Sequence, residues 1–183
     1  VFFVEGAVPG DVCDVQVFKK KKSFAEGKAI NFHKYSEDRV APVCEHFGTC
    51  GGCKWQNLSY EGQLKYKEKD VLSNLKKIGG VVPQECLPIL GCQEPYFYRN
   101  KLEFTFTDYR WITKAQLDSG EEFPDRNGVG FHIPGFWDKV VDVKKCHLQK
   151  DPSNAIRNRV REIGTENGMT FYNIRQKTGF LRI

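Results

Sequence analysis

No stretch of this chain approaches the ~18 consecutive apolar residues of a membrane-spanning helix, so no transmembrane segment and no membrane partner are expected. A signal peptide is lacking too, and the seven cysteines are an odd number. Both features argue against a secreted scaffold of paired disulfides and for a reducing, cytoplasmic setting. Methionine is nearly missing: Met169 is the sole one, and residue 1 is a valine inside a strand-like run. The chain also ends strand-like, at Phe180-Leu-Arg-Ile183, which points to a piece of a longer protein. Also absent is a strand leading into a glycine-rich loop, the usual cradle for a nucleotide cofactor. Gly79-Gly80 closes a helical pattern and does not open one.

What remains is a globular composition, 40% hydrophobic and 13% aromatic, with room for one generous domain or two small ones. The net charge is +5, which permits a nucleic-acid partner without demanding one. Residues 1–35 read as short strands without helices, suggesting a small barrel or a sheet cut open at its N-terminal edge. Val8-Pro-Gly-Asp11 supplies a type II turn, and Val12–Phe18 alternates as a half-buried strand. Lys19, Lys20, Lys21 and Lys22 follow as a loop able to contact phosphates, or simply as a solvated hairpin tip.

A helix is expected from Ser59, as N-cap, to Ile78, with Tyr60, Leu64, Val71, Leu75 and Ile78 on one face. Residues 96–108 and 129–133 read as strands, with Asn127-Gly128 as a hairpin signal and Lys139–Val143 as a further strand. A second helix opens at Asp151-Pro152 with an apolar stripe of Ile156, Val160 and Ile163, and Arg157, Arg159 and Arg161 read as its solvated face. Met169–Ile174 should return as a strand. The fold class is therefore α+β, its second half a mainly antiparallel sheet with helices.

The chemistry concentrates in Cys44-Glu-His-Phe-Gly-Thr-Cys50-Gly-Gly-Cys53, a C-x5-C-x2-C loop loosened by glycine. Three thiolates leave a tetrahedral site one ligand short, and Cys146 is the candidate fourth. Structural zinc prefers a second short-range pair, whereas iron–sulfur clusters commonly combine clustered and remote cysteines. The spacing favours a cluster and leaves zinc open. Cys13 reads as a small buried hydrophobe, and Cys86 and Cys92 as structural.

These segments carry a resemblance. Pro42-x-Cys44-x-His-Phe-Gly-x-Cys50-Gly-Gly-Cys53 and Val140-Val-Asp-Val-x-x-Cys146 resemble the [4Fe–4S] signature of the bacterial uracil-5-methyltransferases of 23S ribosomal RNA. Phe3-Val-Glu-Gly-Ala-Val-Pro-Gly-Asp11 and Ser36-x-x-Arg39-Val-x-Pro42 are similar to the end of a TRAM domain, the small OB-like β-barrel with which those enzymes bind RNA. Tyr98-Arg-Asn-Lys101 and Val129-Gly-Phe131 resemble their central domain.

The resemblance implies that Cys44, Cys50, Cys53 and Cys146 hold an oxygen-labile [4Fe–4S] cluster that organises the fold and takes no part in methyl transfer. It implies a truncated TRAM-like barrel over 1–43, a cluster loop and helix over 44–80, and a central α+β RNA-binding domain over 81–183. Methyl transfer from S-adenosylmethionine needs a nucleophilic cysteine and a cofactor loop. Neither the Asp-Pro-Pro-Arg nor the cysteine-Asn-Pro segment of the family occurs here, so no catalytic or cofactor-binding residue is expected and the chain alone should be inactive. Its expected role is to grip RNA, ribosomal before transfer RNA, as a monomer. Lys19 to Lys22 would meet phosphates, Arg99, Lys101 and His132 would form a second contact zone, and Trp111, Phe136 or Trp137 could stack on splayed bases. The alternative is a stand-alone RNA-binding module held by zinc or a cluster, without enzymatic activity.

Overall fold

The computed structural model describes residues 1–183 and has two compact units, Val1–Pro42 with Trp55–Gln93, and Val43–Lys54 with Glu94–Ile183. The contacts thus divide the expected 44–80 segment. Its cysteine loop groups with the second unit and its helix with the first.

In the first unit β1 (Phe2–Glu5), β2 (Val12–Lys20) and β3 (Ala25–Lys34) form a sheet of order β1-β3-β2. The β2–β3 pair is antiparallel and β1 lies parallel to β3. The sheet is open and three-stranded, the cut-open form of the two read from the sequence, and no closed barrel forms, because three strands cannot curl round to remove both edges. The expected turn forms: Asp11 N–H donates to Val8 C=O at 3.1 Å, and Gly10 takes φ +96°, which a side chain would strain.

Asp11 then ties this turn to the end of the sheet segment. It accepts from Val8 N–H at 2.7 Å, Ser36 N–H at 2.9 Å and the Arg39 guanidinium at 2.5 Å. Arg39 first, with the backbone donors behind it, holds the Asp11 carboxyl down at about 2 against the opposing cost of burial. A carboxylate depressed in the fold stabilises above its unfolded pKa near 3.8, and the contribution fades as pH falls through about 2. Asp11→Ala is therefore expected to cost about 2 kcal/mol at neutral pH and almost nothing at pH ~2. Urea unfolding at both pH values checks it, and a pH-independent loss would assign the effect to packing.

Helix α1 (Tyr60–Lys77) starts where expected, with the Ser59 hydroxyl accepting from Gly62 N–H at 3.1 Å. The apolar stripe behaves differently from its pattern. Only Gly62 is fully buried, and Val71, Leu75 and Ile78 stay exposed.

The second unit is built on an antiparallel sheet of order β4-β5-β6, from Thr105–Thr107, Gly128–His132 and Val140–Asp142. The strand expected over 96–108 shrinks to Thr105–Thr107. Upstream, Phe97 adopts φ +58° and the chain bonds Phe97 N–H to His147 C=O and Arg99 N–H to Leu148 C=O outside any regular ladder. The strand expected at 169–174 is reduced to isolated bridges, Phe171 with Leu181 and Asn173 with Thr178. A short helix α2 (Lys114–Asp118), fixed by a Thr113–Gln116 capping box, forms in the connection between β4 and β5.

Helix α3 (Ser153–Glu166) forms as the Asp151-Pro152 signal indicates, with Asp151 Oδ1 accepting from Asn154 N–H at 3.2 Å. Its buried face is Asn154, Arg157 and Gly164, while Ile156, Val160 and Ile163 are exposed. The arginine face therefore corrects the sequence reading: Arg157 is 6% exposed, and Arg161 binds both Asp142 carboxylate oxygens at 2.9 Å. Hydrogen bonds orient the helix more strongly than its scattered apolar side chains do.

Candidate metal centre

The cysteine loop is wound by its own backbone. Cys44 C=O accepts from Phe47 N–H, His46 C=O accepts from Thr49 and Cys50 N–H, and Gly48 turns the chain at φ +84°. The loop is then pinned to β5, since Gly51 N–H donates to His132 C=O at 3.0 Å. A Cβ at residue 51 would stand 2.5 Å from that same oxygen, so the contact requires glycine here. A second tie reaches the exit of β6, where Lys144 N–H donates to His46 Nε2 at 3.4 Å.

Cys146 follows that exit and is buried with Val141, Val143 and Leu148. Cys50 and Cys53 pack against this cluster beside Phe104 and Phe131. The tertiary fold therefore gathers the loop and the remote cysteine into one apolar environment within one unit. Burial is the main reason that the Cys44 and Cys146 thiols are raised and that Cys50 is pushed up to about 11. The other cysteines add to it: Cys44, Cys53 and Cys146 each raise Cys50 further. Gly52 N–H, donating to Cys50 Sγ at 3.4 Å, pulls the other way. No three His, Cys, Asp or Glu side chains stand close enough to hold a single metal ion.

Arg157 and Asn154 are the participants that sequence reading missed. Asn154 brackets Cys146, its Oδ1 accepting from Cys146 N–H at 2.8 Å and its Nδ2 donating to Cys146 C=O at 3.1 Å. Arg157 braces Asn154 at 3.0 Å, donates to Lys144 C=O and lies 4.6 Å from the Phe104 ring centre. No carboxylate pairs with this guanidinium, and its buried Nε–H has no partner. Burial lowers its pKa, and Cys146 is the foremost neighbour that opposes the shift. A buried cation without a counter-ion is costly, so the site is poised for negative charge beside Cys146. The i, i+3 spacing of Asn154 and Arg157 was the available sequence signal, but three arginines at alternate positions obscured it.

The expected RNA-contacting residues fall elsewhere. Lys19 pairs with Glu26 at 2.8 Å, while Lys20, Lys21 and Lys22 are exposed and carry no carboxylate partner. Lys19 and Lys21 also lie over the Phe24 ring, at 5.6 and 5.8 Å. Arg99 and Lys101 are exposed on irregular chain, Lys101 paired with Glu103 at 2.8 Å. His132 ends β5, half-buried, with its Nε2 enclosed and unpartnered. Cys86 and Cys92 are exposed and Cys13 is half-buried.

No family model matches the chain. Over its whole length it is 49% identical to an uncharacterized RNA methyltransferase of Bacteroides thetaiotaomicron and 43% identical to one of Porphyromonas gingivalis. It covers 40% of each of these relatives, so the chain spans about two fifths of the length of the curated proteins it matches. Among solved structures it is similar to the Pyrococcus abyssi tRNA (uracil-54, C5)-methyltransferase in complex with S-adenosyl-L-homocysteine. That match has a TM-score of 0.63 and 27% identity, and covers 99% of this chain and 36% of the other. The chain is thus homologous to part of longer RNA methyltransferases.

Proposed function

We propose that this chain is the RNA-gripping and [4Fe–4S]-holding portion of an S-adenosylmethionine-dependent RNA uracil-C5 methyltransferase. The carrying observation is the packing of half-buried Cys50 and Cys53 against the apolar cluster that buries Cys146, beside an uncompensated Arg157. Burial opposes thiolate formation, so four neighbouring thiolates need a cationic centre to neutralise them. The cluster as a whole remains anionic and in turn offsets Arg157. A lone zinc, with bonds of ~2.3 Å, would draw its four sulfurs to within about 3.8 Å of each other. A four-iron cluster would take one thiolate each from Cys44, Cys50, Cys53 and Cys146, the combination of clustered and remote cysteines such clusters use. When bound, it would cross-link the loop and the β6 exit. The protein's own residues hold it: Cys44, Cys50, Cys53 and Cys146 as ligands, Asn154 to orient Cys146, and Arg157 to balance charge.

The methyl-transfer chemistry belongs to sequence outside these residues. There a thiolate would add to uracil C6, activating C5 towards the methyl donor, on a base turned out of its stack. Homology to RNA methyltransferases and the likeness to a uracil-54 enzyme support this reading. The open three-stranded sheet stands as the remnant of the TRAM-like barrel, and Lys20 to Lys22 as its phosphate contacts. Ribosomal RNA is the expected substrate, in a cytoplasmic, monomeric enzyme.

The test joins metal and activity. Anaerobically purified protein should carry roughly four irons per chain. The full-length enzyme should transfer a methyl group from S-adenosylmethionine to uracil C5 of ribosomal RNA before transfer RNA. Zinc in place of iron would replace the cluster by a structural ion, and preferential methylation of transfer RNA would overturn the substrate assignment.

A further inference from the structure

The second unit contains a cleft of about 670 Å³ beside the cysteine loop, and Trp111, one of the aromatic side chains expected to stack on bases, lines it. One wall is the cysteine loop at Glu45 and His46, and the floor is the β6 exit from Val141 to Lys144. Trp111, Thr113 and Gln116 at the start of α2, and residues 122–125 complete the lining. The loop and α2 are both fixed in place. The Thr113–Gln116 capping box sets α2, and the bond from Lys144 N–H to His46 Nε2 sets the loop.

The lining combines the aromatic faces of Trp111 and Phe123 with the cations Arg110 and Lys144, and Lys139 lies just outside it. Arg110 lies 5.3 Å from the centre of the Phe123 ring, and Lys139, at the side, lies 5.7 Å from that of Trp111. Neither cation, nor Lys144, has a carboxylate partner. Four carboxylates line the cleft as well: Asp142 is neutralised by Arg161 at 2.9 Å and accepts from Val129 N–H, Asp125 accepts from Asn127 N–H at 2.8 Å, Glu45 lies 3.3 Å from His46 Nε2, and Glu122 has no cation beside it. Glu122 is an acceptor suited to the N–H edge of a base.

From this arrangement we propose that the cleft is a binding site for one splayed nucleotide of single-stranded RNA. The base stacks against Phe123 or Trp111, and its flanking phosphates reach Arg110 and Lys144. Aromatic faces with neighbouring cations are the lining that single strands use, since every base has a stacking face and every linkage a charge. A duplex cannot enter, because its bases are stacked on one another. The site rests on the RNA-gripping role proposed above and makes it specific. It also places His46, from between Cys44 and Cys50, at the RNA surface, so the order of the cysteine loop becomes a condition for binding.

Binding of a uridine-rich single-stranded oligonucleotide, and of its duplex, to the full 183-residue chain tests this. The single strand should bind more tightly than the duplex. Phe123→Ala should weaken single-strand binding roughly tenfold with an unchanged salt slope, because a stacking contact releases no counterions. Arg110→Gln with Lys144→Gln should reduce the slope of log affinity on log salt by about 1.4, at ~0.7 per phosphate contact on a single strand. The triple change Lys20→Gln, Lys21→Gln, Lys22→Gln is the comparison. If it weakens binding while the cleft variants bind like wild type, the cleft is overturned and the RNA role stands. If wild type binds neither oligonucleotide, the RNA role itself fails, and the cleft with it.

Discussion

Cys146→Ser is expected to bleach the protein, with iron falling from roughly four to below one per chain, whereas Cys86→Ser and Cys92→Ser should leave the colour intact. The contrast follows from position. Cys146 is buried with the side chains that pack on Cys50 and Cys53, while Cys86 and Cys92 are exposed in the other unit. Stability should fall as well. Residues 53 and 146 are 146 − 53 = 93 positions apart, so the cluster closes a long loop of chain. In the chain-entropy description, a covalent cross-link of that length is worth on the order of 4–5 kcal/mol.

Stripped wild type supplies the reference, since it also lacks the cross-link. Its urea midpoint should match that of Cys146→Ser within about 1 kcal/mol of stability, because serine differs by one atom at a site already bracketed by Asn154. A much larger loss in the variant than in stripped wild type would assign the effect to packing around residue 146. Retained iron in Cys146→Ser together with loss in Cys86→Ser would show that the fourth ligand is misassigned.

Arg157→Met should act on the cluster without touching a ligand. The guanidinium is 6% exposed, has no carboxylate and is the cation that opposes the rise of the Cys146 pKa. A nearby positive charge favours the more negative, reduced cluster. Its removal should lower the reduction potential by tens of millivolts, the scale that a unit charge produces through a partly screened interior. The variant also loses hydrogen bonds to Asn154 and Lys144 C=O and the contact with Phe104, costing about 2–4 kcal/mol in the loaded protein.

Arg157→Lys separates the two effects. Lysine restores the charge and hence most of the potential, but it cannot reproduce the guanidinium's fixed fork of donors and so recovers little stability. Spectroelectrochemistry and urea unfolding read these outcomes independently. An unchanged potential in Arg157→Met, with stability lost, would reduce Arg157 to a structural brace.

Local signals were legible wherever a short run of residues suffices. Pro9-Gly10 dictated its turn and Ser59 capped α1, because each acts through the dihedrals or hydrogen bonds of neighbouring residues. Asn127-Gly128, by contrast, made no tight hairpin, since Gly128 pairs with Thr107 across a connection that holds α2. Strand reading failed at 96–104 and 169–174. Alternation of half-buried Leu102 and Phe104 with exposed Lys101 and Glu103 reports which side chains face the core, whereas a ladder also needs a partner backbone, and these segments have only scattered bonds and isolated bridges. Apolar periodicity misled on α1 and α3 for a related reason. A stripe of Val71, Leu75 and Ile78, or of Ile156, Val160 and Ile163, shows that a helix could bury that face, but the structure leaves both exposed.

Residue type and spacing alone set the chemistry on offer: a glycine-loosened C-x5-C-x2-C loop, further cysteines elsewhere in the chain, a run of four lysines and no glycine-rich cofactor loop. Those are properties of residue type and spacing, and no packing can alter them. The tertiary structure decided which unit owns the loop, by setting Gly51 against His132 and His46 against Lys144. It also decided that Arg157, seemingly one of three solvated arginines, is buried beside Cys146. Burial and counter-charge depend on what lies across the interior from a residue, and that is set by the fold.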